Sequence, residues 1–217
     1  MNKKAKIITA LGLMGVLFMG TGMQQADAKK KAPAQTEQQK AAADQVENSY
    51  VYTSKEFGYT INCPKKPNVI PASALYEGKT GEILVFDNEG YTIKNAWVII
   101  KDAFDDKNVP DLNALKEEEA KAYLSNLMAT NPYESVVIVN RTGKERAVYA
   151  FTAKEIKFDS NGDGQPDTVA KADNQEVVTF FRGNKGGRYS MILMDNPELR
   201  SEAVAVFQQG FASLTEK

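Results

Sequence analysis

The stretch "EILVFDNEGYTIKNAWVII", Glu82 to Ile100, decides the class of fold. Two runs rich in β-branched and aromatic residues flank the turn-forming residues "DNEG", which predicts an antiparallel hairpin centred on Asp87 to Gly90. Upstream, "EFGYTINCP" alternates apolar and polar residues and ends at Pro64, so it predicts the first strand. An antiparallel sheet is therefore the expected centre of the domain.

Downstream, the pattern predicts a helix between strands. Asp111 is the expected N-cap, and Asn131 with Pro132 is the expected end. The apolar side of this helix consists of Leu112, Leu115, Tyr123, Leu124, Leu127 and Met128. The next two strands are "YESVVIVNRTG" and "KERAVYAFTAKEIKF", and the first of them is apolar enough for a central position in the sheet.

A second hairpin and a closing helix complete the predicted elements. "EVVTFF" and "RYSMILM" flank the turn "RGNKGG". Asn196 and Pro197 are the expected start of the closing helix. Its apolar residues at helical spacing are Leu199, Ala203, Val206, Phe207, Gly210, Phe211 and Leu214. The predicted class is α+β, an antiparallel sheet with helices packed on it.

This order of elements resembles the PsbP-like family of α/β/α sandwich domains. The resemblance rests on the leading strand "FGYTINCP", the mid-chain amphipathic helix, the long antiparallel strands and the terminal "FQQGFASL" helix, and it covers Tyr50 to Lys217. Lys65, Lys66 and Pro67 stand where that family often has an aromatic residue after the first proline. The resemblance implies protein binding rather than catalysis.

The N-terminal region predicts export. Residues 1–28 combine Lys3, Lys4 and Lys6, an apolar run and the triplet Ala26-Asp27-Ala28, which is the order of a cleaved signal peptide; a retained membrane anchor is the alternative. Residues 29–49 hold one Val as their only large apolar residue, so they predict a disordered tether. Its lysines could also touch an anionic envelope surface. We therefore expect a soluble, extracytoplasmic domain over residues 50–217, without a transmembrane segment after cleavage.

The composition excludes several classes of function. The chain has no histidine, which excludes Ser-His-Asp and Cys-His catalysis and histidine-bound zinc or haem. Lys and Arg number 27 against 28 Asp and Glu, and no basic patch points to nucleic acid. Cys63 is the only cysteine and shares a strand face with Phe57, Tyr59 and Ile61, so a buried structural role is expected rather than a nucleophile.

The stretch "DSNGDGQPD", Asp159 to Asp167, carries the chemical signature of the chain. Oxygen-bearing residues recur at every second position with glycines between them, which is the form of a short Ca²⁺ loop. The predicted ligands are Asp159, Asn161, Asp163, Gln165 through its backbone carbonyl, and Asp167, with Asp173 or Glu176 available to complete the shell. The same residues are also ordinary turn formers.

The loop resembles thrombospondin type 3 repeats and the first part of an EF-hand loop. Ala170 stands where an EF-hand has its bidentate Glu, and the flanking segments are predicted strands, so a single structural Ca²⁺ loop at a strand connection is expected. Without the bidentate ligand, affinity is expected on the order of 10⁻⁴–10⁻³ M.

Three functions are compatible with these features. The first is an exported, non-enzymatic protein that binds a protein or an envelope component. The second is a hydrolase that uses paired carboxylates. Its candidates are Glu82, Asp87, Glu89, Asp102 and Glu145. The third is an envelope structural or metal-buffering protein.

Overall fold

The computed structural model describes residues 50–143, 145–172, 174–195 and 199–217. The predicted signal peptide and tether, Asp173 and the predicted helix start at Asn196 and Pro197 lie outside the described residues. The helices are α1 (Glu117–Thr130) and α2 (Ser201–Ser213). The strands are β1 (Tyr50–Thr53), β2 (Tyr59–Cys63), β3 (Asn68–Pro71), β4 (Gly81–Glu89), β5 (Thr92–Lys101), β6 (Tyr133–Thr142), β7 (Glu145–Thr152), β8 (Glu155–Phe158), β9 (Thr168–Lys171), β10 (Glu176–Arg182), β11 (Arg188–Asp195) and β12 (Thr215–Glu216).

A seven-stranded sheet forms the centre of the molecule, in the order β3-β4-β5-β11-β10-β7-β6. All its neighbouring strands are antiparallel. A three-stranded sheet, β1-β2-β12, and a separate two-stranded sheet, β8-β9, complete the strands. The predicted α+β class is confirmed.

Two hydrophobic cores lie on opposite faces of the seven-stranded sheet. The face that we call the α1 face packs Val98, Val148 and Phe180 with Ala120 and Leu127 of α1. The opposite face, here called the α2 face, packs against α2 and the three-stranded sheet. Its buried aromatic residues are Tyr59, Phe86, Trp97, Tyr149, Phe181, Tyr189, Phe207 and Phe211. Interior strands are therefore apolar on both sides, as the run Ala96–Ile100 shows.

The strand containing Cys63 has the predicted alternation. Tyr59, Ile61 and Cys63 are buried, and Cys63 is a free thiol whose pKa is raised to about 12 by burial. A buried, protonated thiol of this kind is unreactive. The prediction that this is the first strand is wrong, because Tyr50–Thr53 precedes it and pairs with it.

The position predicted for the strand "YESVVIVNRTG" is wrong. This strand, β6, lies at the edge of the seven-stranded sheet, and β7 lies inside it. Both helices contact β6, so its valines gain burial from the layers above and below rather than from a second neighbouring strand. The apolar composition of β6 therefore reflects its burial against the two helices and does not indicate a central position in the sheet.

Helix α1 begins five residues later than predicted. Asp111 instead accepts the N–H of Asn113 in a local turn (3.0 Å). The guanidinium of Arg146 in β7 donates to the carbonyls of Leu112 (3.1 Å) and Leu115 (3.3 Å), which fixes this non-helical segment to β7. The helix starts at Glu117, and it ends before Asn131 as predicted.

Three smaller differences concern side-chain exposure and strand ends. Met128, predicted on the apolar side of α1, is 42% exposed. The β4–β5 turn falls at Gly90 and Tyr91, because β4 continues through a bulge after Val85. The predicted strand from Lys144 to Phe158 breaks at Ala153 and Lys154, and its second part, β8, leaves the large sheet.

Candidate functional site

The predicted calcium residues all lie in one loop at the end of a projecting hairpin. Strands β8 and β9 pair with each other and with no other strand. We call this hairpin, residues 155–171, the arm. The loop from Asp159 to Asp167 joins its two strands, and the N–H of Asp167 closes it on the carbonyl of Phe158 (3.2 Å).

Asp159 organises the first half of the loop. Its Oδ1 accepts the N–H groups of Asn161 (3.1 Å) and Gly162 (2.5 Å), and its Oδ2 accepts that of Gly164 (2.7 Å). Both glycines have positive φ, at +83° and +85°, which lets the backbone curl around the carboxylate. The N–H groups of Gly164 and Gly162 lower the pKa of Asp159.

The remaining predicted ligands make similar local bonds. Asn161 Oδ1 accepts the N–H of Asp163, and Asp163 Oδ1 accepts the N–H of Gln165, each at 2.8 Å. Asp167 accepts the N–H of Ser160 at 2.8 Å, which lowers the pKa of the Asp167 carboxyl. Asp159 and Asp167 thus bind different donors within one exposed loop.

The donor set of the loop suits a hard cation, because it contains only carboxylate, amide and carbonyl oxygens. A carboxylate has about four lone-pair sites, so one hydrogen bond at Asp163 leaves capacity for an ion. In the described part of the chain, no three His, Cys, Asp or Glu side chains are already arranged as a metal-binding group. Calcium binding would therefore require the loop to draw its carboxylates together.

Glu176, considered as a further ligand, lies at the base of the arm and not at its tip. Its side chain shares the α1 face with Val178 and is hydrogen-bonded by Tyr76. Desolvation raises the pKa of the Glu176 carboxyl to about 7. This partly buried acid therefore lies beside the core of the α1 face and away from the loop.

The arm exposes apolar side chains on both of its faces. Ile156 is 39% exposed, Phe158 44% and Val169 55%. Phe158 lies opposite Thr168 in the register, and Val169 lies opposite Lys157, so Phe158 and Val169 occupy different faces of the hairpin. None of the three belongs to either hydrophobic core.

The base of the arm is held by polar contacts. Ala172 N–H donates to the carbonyl of Lys154 (2.9 Å), and the amide of Gln175 donates to the carbonyl of Thr152 and to Glu134, both at 3.1 Å. A two-stranded hairpin without such support is at best marginally stable in water. The arm is thus anchored at its base, and most of the side chains of its two strands are exposed.

The five acids considered for a hydrolase are not brought together. Glu82 accepts hydrogen bonds from two tyrosine hydroxyls inside the α2 face, Glu145 pairs with Arg141, Glu89 with Lys94, and Asp102 with Arg188. Asp87 lies exposed on the bulged end of β4. The five residues thus form no carboxylate pair of the kind that glycoside cleavage needs.

A cleft of about 240 Å³ lies between the segment 104–113 and the adjoining ends of β7 and β10. Arg146 and Arg182 line it, but both guanidiniums are bound to the protein itself. Arg146 binds the carbonyls described above, and Arg182 binds Asp106 (2.9 Å) and the carbonyl of Val109 (3.2 Å). The cleft is smaller than the roughly 300–1,000 Å³ of typical ligand pockets. Arg146 and Arg182 therefore stabilise the fold and are not free to bind a ligand in this cleft.

The sequence analysis did not identify the structural role of two acids, Glu82, which is buried, and Glu176, which is partly buried. Glu82 lies in phase with Leu84 and Phe86 on the α2 face, and Glu176 lies in phase with Val178 and Phe180 on the α1 face. An acid in the apolar register of a strand is the signal that could have identified both. Each is expected to need a hydrogen-bond donor inside the core.

No protein-family model matches the chain, and no curated protein matches it. Among the described residues, no helix has the length and apolar character needed to cross a membrane.

Proposed function

We propose that this protein is an exported, non-enzymatic binding protein of the cell envelope or the extracellular space, and that the arm is its recognition element. The observation that carries the proposal is the projection of the arm from the fold with Ile156, Phe158 and Val169 exposed. Ile156 and Phe158 lie on one face of this anchored hairpin and Val169 on the other, so both faces offer apolar contacts to a protein partner.

One structural Ca²⁺ ion in the Asp159–Asp167 loop belongs to this proposal. An ion there would offset two of the three negative charges of the loop and hold the end of the arm in one conformation, which lowers the entropy lost when a partner binds. The oxygen donors, the alternation and the positive φ of Gly162 and Gly164 support it.

A PsbP-like fold is the finer form of the α+β class that we propose. It is supported by the seven-stranded antiparallel sheet with one helix packed on each face. Fold analogy favours protein binding over catalysis, and the separation of the five candidate acids agrees with that.

Photocrosslinking tests the recognition role of the arm. A photoreactive residue at Phe158 should give a discrete adduct with an envelope or extracellular protein in the source cells. The same residue at Leu75, which is also half-exposed but lies far along the chain from the arm, is the control. Adducts of equal yield at both positions, or none at Phe158, would contradict the proposal.

A calcium titration followed by NMR tests the ion separately. The amide resonances of residues 159–167 should shift with a dissociation constant on the order of 10⁻⁴–10⁻³ M. Asp163→Asn should abolish the shifts, whereas Asp105→Asn, which alters another exposed Asp that binds backbone N–H groups in a turn, should leave them unchanged. If no amide resonance shifts at millimolar Ca²⁺, the loop is an ordinary turn that does not bind the ion.

A further inference from the structure

The two edges of the seven-stranded sheet are protected to different extents. β3 has four residues and is bracketed by Pro67 and Pro71. β6 has ten residues and contains neither proline nor lysine. Short length, proline and lysine are the usual devices that prevent a sheet edge from pairing with another chain. β3 has two of these devices, and β6 has none of the three; the register of β6 with β7 is irregular only at its two ends.

The outer side of β6 is open in the described structure. β6 pairs with β7, and among the described residues the backbone from Glu134 to Thr142 has no hydrogen-bond partner other than β7. Alternate residues of a strand direct N–H and C=O away from their partner, so this side presents a row of backbone donors and acceptors. The row is regular between Ser135 and Asn140, where the register has no bulge.

We propose that β6 is a dimerisation edge, on which β6 of a second copy pairs antiparallel about a two-fold axis through Val137. A two-fold axis normal to the sheet continues each face of one copy into the same face of the other. It therefore pairs residues that share a face. Val136 and Ile138 belong to the α1 face, and Val137 and Val139 to the α2 face. A shift by one residue would join opposite faces and is excluded.

The centre at Val137 matches polarity across the axis. It places Val137 opposite the same residue of the partner, and Val136 opposite the partner's Ile138. Glu134 then lies opposite the partner's Asn140, and both residues are exposed in the single copy. A centre at Ile138 would instead place Val136 opposite the partner's Asn140. Apolar pairs in the middle and polar pairs at the ends favour the first register.

A pair of substitutions at Asn140 tests this register. Asn140→Glu would bring like charges together at both Glu134 contacts of the dimer, so the dissociation constant should rise about tenfold. Asn140→Lys would bring opposite charges together at the same two contacts and should leave the dimer as tight or tighter. Sedimentation equilibrium of the purified protein measures both, and circular dichroism checks that the variants keep the fold.

Hydrogen exchange gives a readout that does not depend on the variants. The outward amides of β6 should exchange more slowly as protein concentration rises, while those of β3 should not change. Concentration-dependent protection confined to β6, with opposite effects of Glu and Lys at Asn140, supports the proposal. A protein that stays monomeric at millimolar concentration, or one that the two substitutions weaken equally, overturns it.

Discussion

At the scale of single residues, the core accommodates two acids by placing tyrosines against them. Glu82 is 7% exposed and accepts hydrogen bonds from Tyr59 (2.6 Å) and Tyr52 (2.9 Å). Burial raises the pKa of Tyr59, so its hydroxyl stays protonated and available as a donor. On the opposite face Tyr76 lies beside Glu176, and the Tyr76 hydroxyl also contacts Met194 Sδ (3.8 Å). These pairs are needed because a buried carboxyl without a donor destabilises the folded state.

The Tyr59–Glu82 bond is expected to be the stronger of the two at Glu82. Tyr59→Phe removes a buried donor and should lower the free energy of unfolding by about 1–3 kcal/mol, as measured by urea denaturation. Tyr52→Phe is the matched control, because Tyr52 is only partly buried and its bond is longer; its effect should be smaller. Equal effects of the two substitutions would contradict this ranking.

Glu176 should make stability depend on pH. Its pKa is about 7 in the folded protein, against an ordinary value of 4.5. Between these two values the unfolded chain has lost the proton that the folded protein keeps, so stability falls as pH rises from about 4.5 to 7 and then levels off. At about 1.4 kcal/mol per pH unit over this interval, the loss is about 3–4 kcal/mol.

The variant Glu176→Gln isolates this effect. It keeps a hydrogen-bonding side chain of similar size but cannot ionise. Urea denaturation at pH 5 and pH 8 should show a smaller pH dependence for the variant than for the wild type, with the variant the more stable of the two at pH 8. If the free energy of unfolding of the variant depends on pH as strongly as that of the wild type, other titratable groups cause the effect.

At the scale of elements, the approach of α2 to the sheet depends on one glycine. Gly210 is buried in the last turn of α2, and a Cβ atom there would overlap the ring of Trp97 in β5. Trp97 also contacts Phe207, one turn earlier in α2, edge to face at 5.9 Å. The glycine therefore sets the distance between helix and strand, at the cost of helix propensity.

Gly210→Ala should destabilise the protein although alanine favours a helix. The added methyl group forces α2 and Trp97 apart, and the free energy of unfolding should fall by about 1–3 kcal/mol. Near-ultraviolet circular dichroism of Trp97, the only tryptophan, should change as well. Glu202→Ala, at an exposed position of the same helix, is the control and should do neither. A stabilised Gly210→Ala variant would show that the two elements can separate at no cost.

At the scale of the whole molecule, the C-terminus closes the fold by joining distant parts of the chain. β12 pairs with β2, more than 150 residues earlier. The Glu216 carboxylate accepts the N–H of Lys185 (2.6 Å) and the hydroxyl of Tyr189 (3.1 Å), so it also holds the β10–β11 turn. Arg141 in β6 makes a third long-range contact, because its guanidinium donates to the carbonyl of Leu214 (2.8 Å).

Removing the Glu216 side chain should loosen this closure. Glu216→Ala leaves three donors, the N–H groups of Lys185 and Gly187 and the hydroxyl of Tyr189, without their acceptor. It should lower the free energy of unfolding by about 1–3 kcal/mol. Amide exchange should speed up in the β10–β11 turn and in β2 together. The control is Lys217→Ala, since the Lys217 side chain makes a single exposed bond to Thr53 (3.4 Å). Faster exchange in the turn alone would show that β12 and the turn are not coupled.

The sequence by itself determined the α+β class, the alternation of β2, the two hairpins, the end of α1 and the buried face of α2. These features depend on residues a few positions apart, whose side chains repeat with the period of a strand or a helix. The sequence also identified "DSNGDGQPD" as one compact loop, because Asp, Asn and Gly bind their own backbone locally.

Only the tertiary structure decided which strands are neighbours. It placed β6 at an edge and β7 inside, separated the arm from β7, delayed α1 to Glu117 and put Glu82 and Glu176 against tyrosines. Each of these outcomes depends on partners far away in the chain, such as Arg146 for the start of α1. An apolar strand can be buried by neighbouring strands or by covering helices, and the same local pattern satisfies both. Which of the two ways of burial occurs is determined by the free energy of the whole fold.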